Sequence, residues 1–380
     1  MQNQYRLANR CVVMGAAEAL PGIDVPGAVL TNERLCELME QVSKELLEKR
    51  GIEKPASDPL FPYERAGISS RRIIDEDHNV FDLALAACGK LLEGRDDLDK
   101  IKAIVCACIT QEQVTPCLAV ELQEALRLGH EVLAIDVRVG CSGAAAALET
   151  AARMLAAFPE DSRILVIGAD AMSRVMDASE RGTCIIFGDG AGAVLLGNPP
   201  DSHPFMKTNP WLISACSSYS YGEEKARIEV RRDPDDFLPI SRFVSRNGQA
   251  ETAPDRFSSM RIFMDGRSVY KDMNRLVPEK IRILLHDQEL NIEDIDVWMF
   301  HQANMRMIDA IAKRMGIPED RLRSNIGEIG NTTDGSLPIL LARELNLRPN
   351  FGKRMLMIGF GTGYAISALI FERADIIASR

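Results

Sequence analysis

Along the chain, short apolar runs bounded by Gly, Pro and Asp alternate with segments whose apolar positions recur every three or four residues, the pattern of a sheet layered with helices. The runs predict strands at Ile101–Ile109, Val132–Val137, Ile164–Gly168, Thr183–Phe187 and Ala191–Leu196. Helices are predicted at Phe81–Glu93, Leu118–Arg127 and Ser142–Phe158, the last stopped by Pro159. A polar, Pro-containing segment from Asn198 to Pro210 then divides the chain into halves, 1–197 and 198–380. The second half repeats the style, with helices at Arg267–His286, Asn304–Met315 and Leu337–Leu345 and strands at Asp296–Phe300, Met355–Gly359 and Ala365–Phe371. Near its end each half has a Gly-rich run leading into an apolar strand: Phe187-Gly188-Asp189-Gly190-Ala191 and Phe360-Gly361-Thr362-Gly363-Tyr364-Ala365. Two units of one shape suggest an internal duplication. Two stretches break the pattern. Residues 219–263 are rich in Arg, Asp, Glu and Ser, as in Arg231-Arg232-Asp233-Pro234-Asp235-Asp236, and predict an inserted loop region or lid. Residues 43–62 are charged and hold three prolines, which predicts a surface excursion or part of a substrate rim.

Composition narrows the function classes. With 380 residues, 46% of them hydrophobic, the chain can bury a large core. The formal charge of -10 is spread without long like-charge runs, which argues against a nucleic-acid partner. No signal-like start and no apolar stretch of about 18 residues is present, so a soluble, cytoplasmic protein without membrane contact is expected. The nine cysteines are an odd count lying mostly in apolar segments, which is not a disulfide framework. Cys106 and Cys108 fall within one predicted strand and read as core cysteines, not as metal ligands.

Three residues sit where chemistry is usually placed in α/β proteins. Cys141 lies where a strand turns through Arg138-Val139-Gly140 into an Ala-rich helix. A thiol at a helix N-terminus faces free N–H groups that favour thiolate, although a buried core cysteine fits the same context equally well. His301 follows the apolar strand Val297-Trp298-Met299-Phe300, at a strand's carboxyl end, where a lone histidine is more often structural. Asn331, in Gly330-Asn331-Thr332-Thr333 before a helix, is by default a turn or cap residue. The run Gly188-Asp189-Gly190-Ala191-Gly192 lacks the ending of a Walker loop and the spacing of a dinucleotide fingerprint, and reads as a tight structural turn between strands.

Taken together and in order, the segments Ala134-Ile135-Asp136-Val137-x-x-x-Cys141-x-Gly143, Arg181-Gly182-Thr183-x-Ile185-Ile186-Phe187-Gly188-Asp189-Gly190-Ala191-Gly192, His301-Gln302-Ala303-Asn304 and Gly330-Asn331-Thr332 resemble β-ketoacyl-acyl-carrier-protein synthase III, of the thiolase-like superfamily. The resemblance runs from about Tyr63 to Phe371. It implies an α/β fold of two thiolase-like βαβαβαββ halves in a five-layered αβαβα core. It also implies a decarboxylative condensation of an acyl thioester with a malonyl thioester through acyl-Cys141. His301 and Asn331 would bind the malonyl carbonyl, and the N–H groups of Cys141 and Thr362 would form the oxyanion hole. No metal or redox cofactor is implied. The family pattern further places Arg65 and Arg181 near the coenzyme A nucleotide, Phe61 where an adenine-stacking tryptophan is usual, Asn304 by the pantetheine arm and Phe360 among the substrate contacts. Arg306, Lys313 and Arg314 match a basic face for docking acyl carrier protein, though Lys313 and Arg314 fit a solvated helix face as well. A homodimer is implied, with Thr115 reaching into the neighbour's acyl pocket in place of a bulkier residue.

Related activities fit less well or stay open. A degradative thiolase needs a late second cysteine, and this chain has none after Cys216. No matching glutamate base can be placed for a hydroxymethylglutaryl-CoA synthase, and the His301-Gln302-Ala303-Asn304 segment fits synthase III better than a type III polyketide synthase. A decayed, non-catalytic partner subunit would normally have lost the nucleophile. A specialised relative that condenses two longer acyl chains, or transfers an acyl group to an alcohol or amine, keeps the same residue types and stays open.

Overall fold

Residues 10–51, 58–232, 260–348 and 351–378 are described by the computed structural model of the chain. The first half runs β1 (Val12–Ala19), β2 (Gly27–Thr31), α1 (Asn32–Arg50), α2 (Leu60–Ala66), β3 (Ser70–Ile74), α3 (Val80–Leu92), β4 (Ile101–Ala107), α4 (Leu118–Ala125), β5 (Leu133–Val137), α5 (Gly143–Leu155), β6 (Arg163–Ala171), the single turn α6 (Arg181–Cys184) and β7 (Asp189–Gly197). The second runs β8 (Trp211–Ser220), β9 (Ile228–Arg232), β10 (Met260–Met264), α7 (Gly266–Asp287), β11 (Val297–Phe300), α8 (Met305–Met315), β12 (Leu322–Arg323), α9 (Ile326–Ile329), α10 (Ser336–Leu347), β13 (Arg354–Phe360), β14 (Ala365–Arg373) and α11 (Ala374–Ala378).

Strand order exposes the duplication. The main sheet reads β5-β4-β6-β7-β1 and then β8-β14-β13-β11-β12, joined where Val12 of β1 pairs with Leu212 of β8. Each five-strand set pairs in the same senses: β4 is parallel to β5 and β6 as β11 is to β12 and β13, whereas β7 and β14 are antiparallel to both their neighbours. The halves are therefore β1-α3-β4-α4-β5-α5-β6-β7 and β8-α7-β11-α8-β12-α10-β13-β14, each βαβαβαββ. Helices α5 and α10 touch strands of both halves, while α3 packs on the first set and α7 on the second, which gives the five layers αβαβα. Small side chains make the middle layer thin. Ala144, Ala145, Ala147, Ala151 and Ala152 of α5 are buried, and a Cβ on Gly192 of β7 would stand 2.6 Å from Pro338 of α10.

Several expectations change. Thr183–Phe187 is not a strand: Arg181–Cys184 forms a helical turn whose Gly182 N–H is capped by Glu180. The run Gly188–Gly192 is not a turn but leads into β7, with glycine needed at Gly192 because α10 packs on it. The charged stretch after Ser43 belongs partly to α1, whose Leu35, Leu38, Met39 and Val42 are buried at helical spacing. The two ends of the 219–263 insertion pair as an antiparallel ribbon, β9 with β10, and bury Ile228 and Ile262 in the core. Its centre, 233–259, and residues 52–57 lie outside the described residues. All nine cysteines are free thiols. Among the described residues no helix is long and apolar enough to cross a membrane.

Candidate active site

Cys141 sits in a short 3-10 turn, Gly140–Ser142, between β5 and α5. Gly140 has φ +54° and meets Thr362 so closely that a Cβ there would overlap the threonine side chain. From the opposite side Gly361, at φ +146°, leaves room for the cysteine, since a Cβ at that position would lie 2.7 Å from Cys141 Cβ. The sulfur is 3.5 Å from Thr362 Oγ1. The thiol is pushed up to about 11, first by burial and then by the carboxyls of Asp334 and Asp170, against hydrogen bonding from Thr362 that pulls it down. The thiolate expected from the helix terminus is therefore not the resting form. One reason is visible at α5, where the Ala144 N–H is taken by Asp334 Oδ1 at 3.2 Å.

His301 is placed by the end of β11, with its own N–H on the Ile358 carbonyl at 2.7 Å. The neighbouring Gln302 side chain accepts from Ser324 Oγ and the N–H groups of Asn325 and Ile326, tying β11 to the loop that leads to Asn331. The imidazole stands edge-on to Phe360, ring centroids 5.7 Å apart, and neither ring nitrogen has a partner among the described residues. Burial lowers His301 to about 3, so the ring is neutral at physiological pH. Asn331 is held by backbone bonds to Ile186 and Gly188, and its Oδ1 accepts the Thr333 N–H at 2.9 Å. That fixes the amide rotation and leaves the Nδ2 hydrogens without a partner among the described residues.

These three residues line one cavity of about 730 Å³, together with Phe360, Gly361, Phe187 and Ile186 on its apolar wall. Four arginines, Arg65, Arg181, Arg267 and Arg306, also line it. The Arg181 guanidinium lies 3.4 Å from the centroid of the Phe61 ring and that of Arg65 5.3 Å from it. Asn304 caps α8 by accepting the Arg306 N–H and donates to the Arg65 carbonyl, so it ties α8 to α2 at the cavity edge.

Other expected residues fall elsewhere. Thr115 is exposed on the loop before α4 and lines no part of this cavity within its own chain. Lys313 and Arg314 are exposed near the far end of α8, and Arg314 donates to the Asn274 carbonyl at 3.2 Å. Sequence reasoning missed Arg267 and Tyr270, which line the cavity from the first turns of α7, and Ile228 and Met264, contributed by the ribbon. The predicted helix start at Arg267 was a usable signal for the first two. Nothing in the composition of residues 219–264 announced the others.

A duplicated five-layered core that brings a cysteine from one half and a histidine and an asparagine from the other to one cavity is that of a thiolase-fold condensing enzyme. Comparison with known proteins agrees. Residues 135–209 match the model for 3-oxoacyl-[acyl-carrier-protein (ACP)] synthase III, and residues 285–373 match that for its C-terminal part. The β-ketoacyl-[acyl-carrier-protein] synthase III of Clostridium perfringens SM101 is 30% identical over 355 residues, 92% of this chain and 97% of the relative. That of Acholeplasma laidlawii is 33% identical over 313 residues, 81% and 87% of the two chains. The crystal structure of 3-oxoacyl-(acyl carrier protein) synthase III from Pseudomonas aeruginosa PAO1 superposes with a TM-score of 0.73 at 25% identity, covering 96% of this chain and 98% of that one. The chain belongs to the β-ketoacyl-[acyl-carrier-protein] synthase III family of condensing enzymes.

Proposed function

We propose that this chain condenses an acyl thioester with a malonyl thioester in fatty-acid or related polyketide biosynthesis, using Cys141 as nucleophile. The observation that carries the reading is the meeting, in one cavity, of a buried thiol, a neutral histidine whose ring nitrogens have no partner among the described residues, and a rotationally fixed amide. Cys141 Sγ attacks the donor carbonyl, the donor's C–S bond breaks, and the departing thiol carries away the proton that Cys141 gives up. The anionic oxygen of the tetrahedral intermediate takes the N–H groups of Cys141 and Thr362. The malonyl thioester then loses its carboxylate as carbon dioxide, and the bonding electrons form an enolate. Its oxygen accepts from a neutral His301 N–H and from Asn331 Nδ2, for which an imidazolium is not required. The enolate carbon attacks the acyl carbon and the cysteine sulfur leaves, to be reprotonated from water. These steps balance without a metal or redox cofactor.

Acyl-CoA is the proposed donor, with its phosphates meeting Arg65 and Arg181 and its base at Phe61. Acyl carrier protein is the proposed partner at α8, where Arg306 on the cavity edge is the most direct contact. A homodimer would bring Thr115 of one subunit to the acyl pocket of the other. The test is intact-mass detection of the acyl-enzyme, followed by product analysis with malonyl-acyl-carrier protein. Cys141→Ala should give no adduct, whereas His301→Ala and Asn331→Ala should acylate and fail to condense. Undiminished acylation of Cys141→Ala would remove the nucleophile from the account.

A further inference from the structure

The contact between the cysteine turn and the loop after β13 contains a group that the proposed mechanism leaves unused. Thr362 presents its hydroxyl to the sulfur, with Oγ1 3.5 Å from Cys141 Sγ. Cys141 is the only hydrogen-bond partner of that hydroxyl among the described residues. The approach is built into the backbone: Gly140 and Gly361 both adopt positive φ, and a side chain at either would collide with the facing residue. An oxyanion hole needs only the amide of residue 362, which any residue supplies. The β-hydroxyl is extra.

We propose that the Thr362 hydroxyl is a positioning and charge-stabilising donor for the nucleophile, accepting from the Cys141 thiol at rest and donating to its sulfur anion as the thioester is attacked. A hydroxyl can do both because it carries one O–H and two lone pairs and rotates freely about its C–O bond. The surroundings make such a donor consequential. The titratable groups that bear on the sulfur include Asp334, on the loop before α10, and Asp170, at the end of β6, while His301 and the four arginines line the same cavity; the two carboxyls oppose a thiolate and the neutral imidazole does not attract one. Burial and the two carboxyls oppose the thiolate and hydrogen bonding from Thr362 favours it, so the anion leans on that bonding. Removing a neutral donor to a charged acceptor should lower the thiolate population, and with it the alkylation rate at pH 7 to 8, by roughly 10-fold.

The inference rests on Cys141 being the nucleophile, and the test separates the two. Threonine has a hydroxyl and a β-branch, so three substitutions resolve them: Thr362→Ser keeps only the hydroxyl, Thr362→Val only the branch, and Thr362→Ala neither. Second-order rates of Cys141 alkylation by iodoacetamide would be read by intact mass from pH 6 to 9, with melting temperatures as the folding control. If the hydroxyl acts as proposed, Thr362→Ser restores a rate close to that of the native chain, while Thr362→Val and Thr362→Ala are alike and roughly 10-fold slower. If packing alone matters, Thr362→Val matches the native chain while Thr362→Ser and Thr362→Ala fall together, and the proposal is overturned. Equal rates in all four proteins overturn it as well. Acylation by acyl-CoA is measured in parallel on the native chain: absence of an acyl-Cys141 adduct with the hydroxyl pattern intact would sink the nucleophile assignment and leave the donor standing.

Discussion

His301→Gln should abolish a specific part of the acid sensitivity of folding. In the native chain burial lowers this imidazole from 6.5 to about 3. The folded state thus refuses a proton that the unfolded chain accepts below about pH 6.5. Where the unfolded state binds more protons, stability rises with pH, so His301 contributes stability that is fully present above 6.5 and lost as pH falls towards 3. A gap of about 3.5 pH units at 1.36 kcal/mol each is worth about 5 kcal/mol in full, and about 1.4 kcal/mol is lost for each unit below pH 6. Glutamine cannot take the charge. The remaining four histidines and the carboxylates are common to both proteins and cancel in the difference. Urea unfolding at half-unit intervals from pH 8 to 5 gives the stability of the variant minus that of the native chain. The difference should be flat from 8 to 7 and then climb in favour of the variant by about 1 kcal/mol or more between 6 and 5. A difference that stays flat throughout would mean that His301 takes its proton as readily in the folded state as in the unfolded chain, and the burial that keeps its ring neutral would be lost from the account.

Two further outcomes are expected. Gly192→Ala should destabilise the fold by about 2 kcal/mol, because the added Cβ would meet Pro338 at 2.6 Å and the Ile339 backbone nitrogen at 2.7 Å, neither of which is a flexible side-chain end; a loss under about 0.5 kcal/mol in urea unfolding would show that α10 can shift aside. If a second subunit supplies the pocket, Thr115→Phe should shift acylation specificity from longer or branched primers towards acetyl-CoA, since Thr115 does not line the active-site cavity of its own chain. An unchanged ratio of specificity constants for acetyl-, hexanoyl- and octanoyl-CoA would remove it from the acyl pocket.

Legibility of the fold in the sequence followed burial geometry. Strands β4, β5, β6, β13 and β14 and helices α3, α5, α7 and α8 show within a few residues of their observed ends, because each has a largely apolar run or a clean 3.6-residue stripe. The two strands at the join of the halves were missed. β1 is mostly Ala, Gly and Val, and β8 carries Ser214, Ser217, Ser218 and Ser220, so neither announces a central position that packing alone makes apolar. Thr183–Phe187 misled because β-branched residues favour strands, whereas local capping and the close approach of Gly188 to the Ile329 carbonyl impose a turn. Helix α1 had a readable stripe that its charged far end obscured. For the site, ordered motifs located Cys141, His301 and Asn331, which share a cavity. The Thr362 hydroxyl, Arg267 and the ribbon residues depend on which loops meet in space, and no spacing along the chain encodes that.

The paired halves have one more consequence. Cys141 lies on the link from β5 to α5 and Asn331 on the link from β12 to α10, which are the same link in the two repeats. These links also touch: Asp334 reaches the Ala144 N–H, and Asp170, from the end of β6, accepts from both Thr110, after β4, and Thr333. In the first repeat the end of β4, the counterpart of the strand end that holds His301, has thus become a fastener. Neither repeat can therefore drift alone. A change that suits one link must be tolerated by its twin, so chimaeras that exchange a single half between relatives should lose activity even when both parents are active, and the natural unit of exchange is the pair.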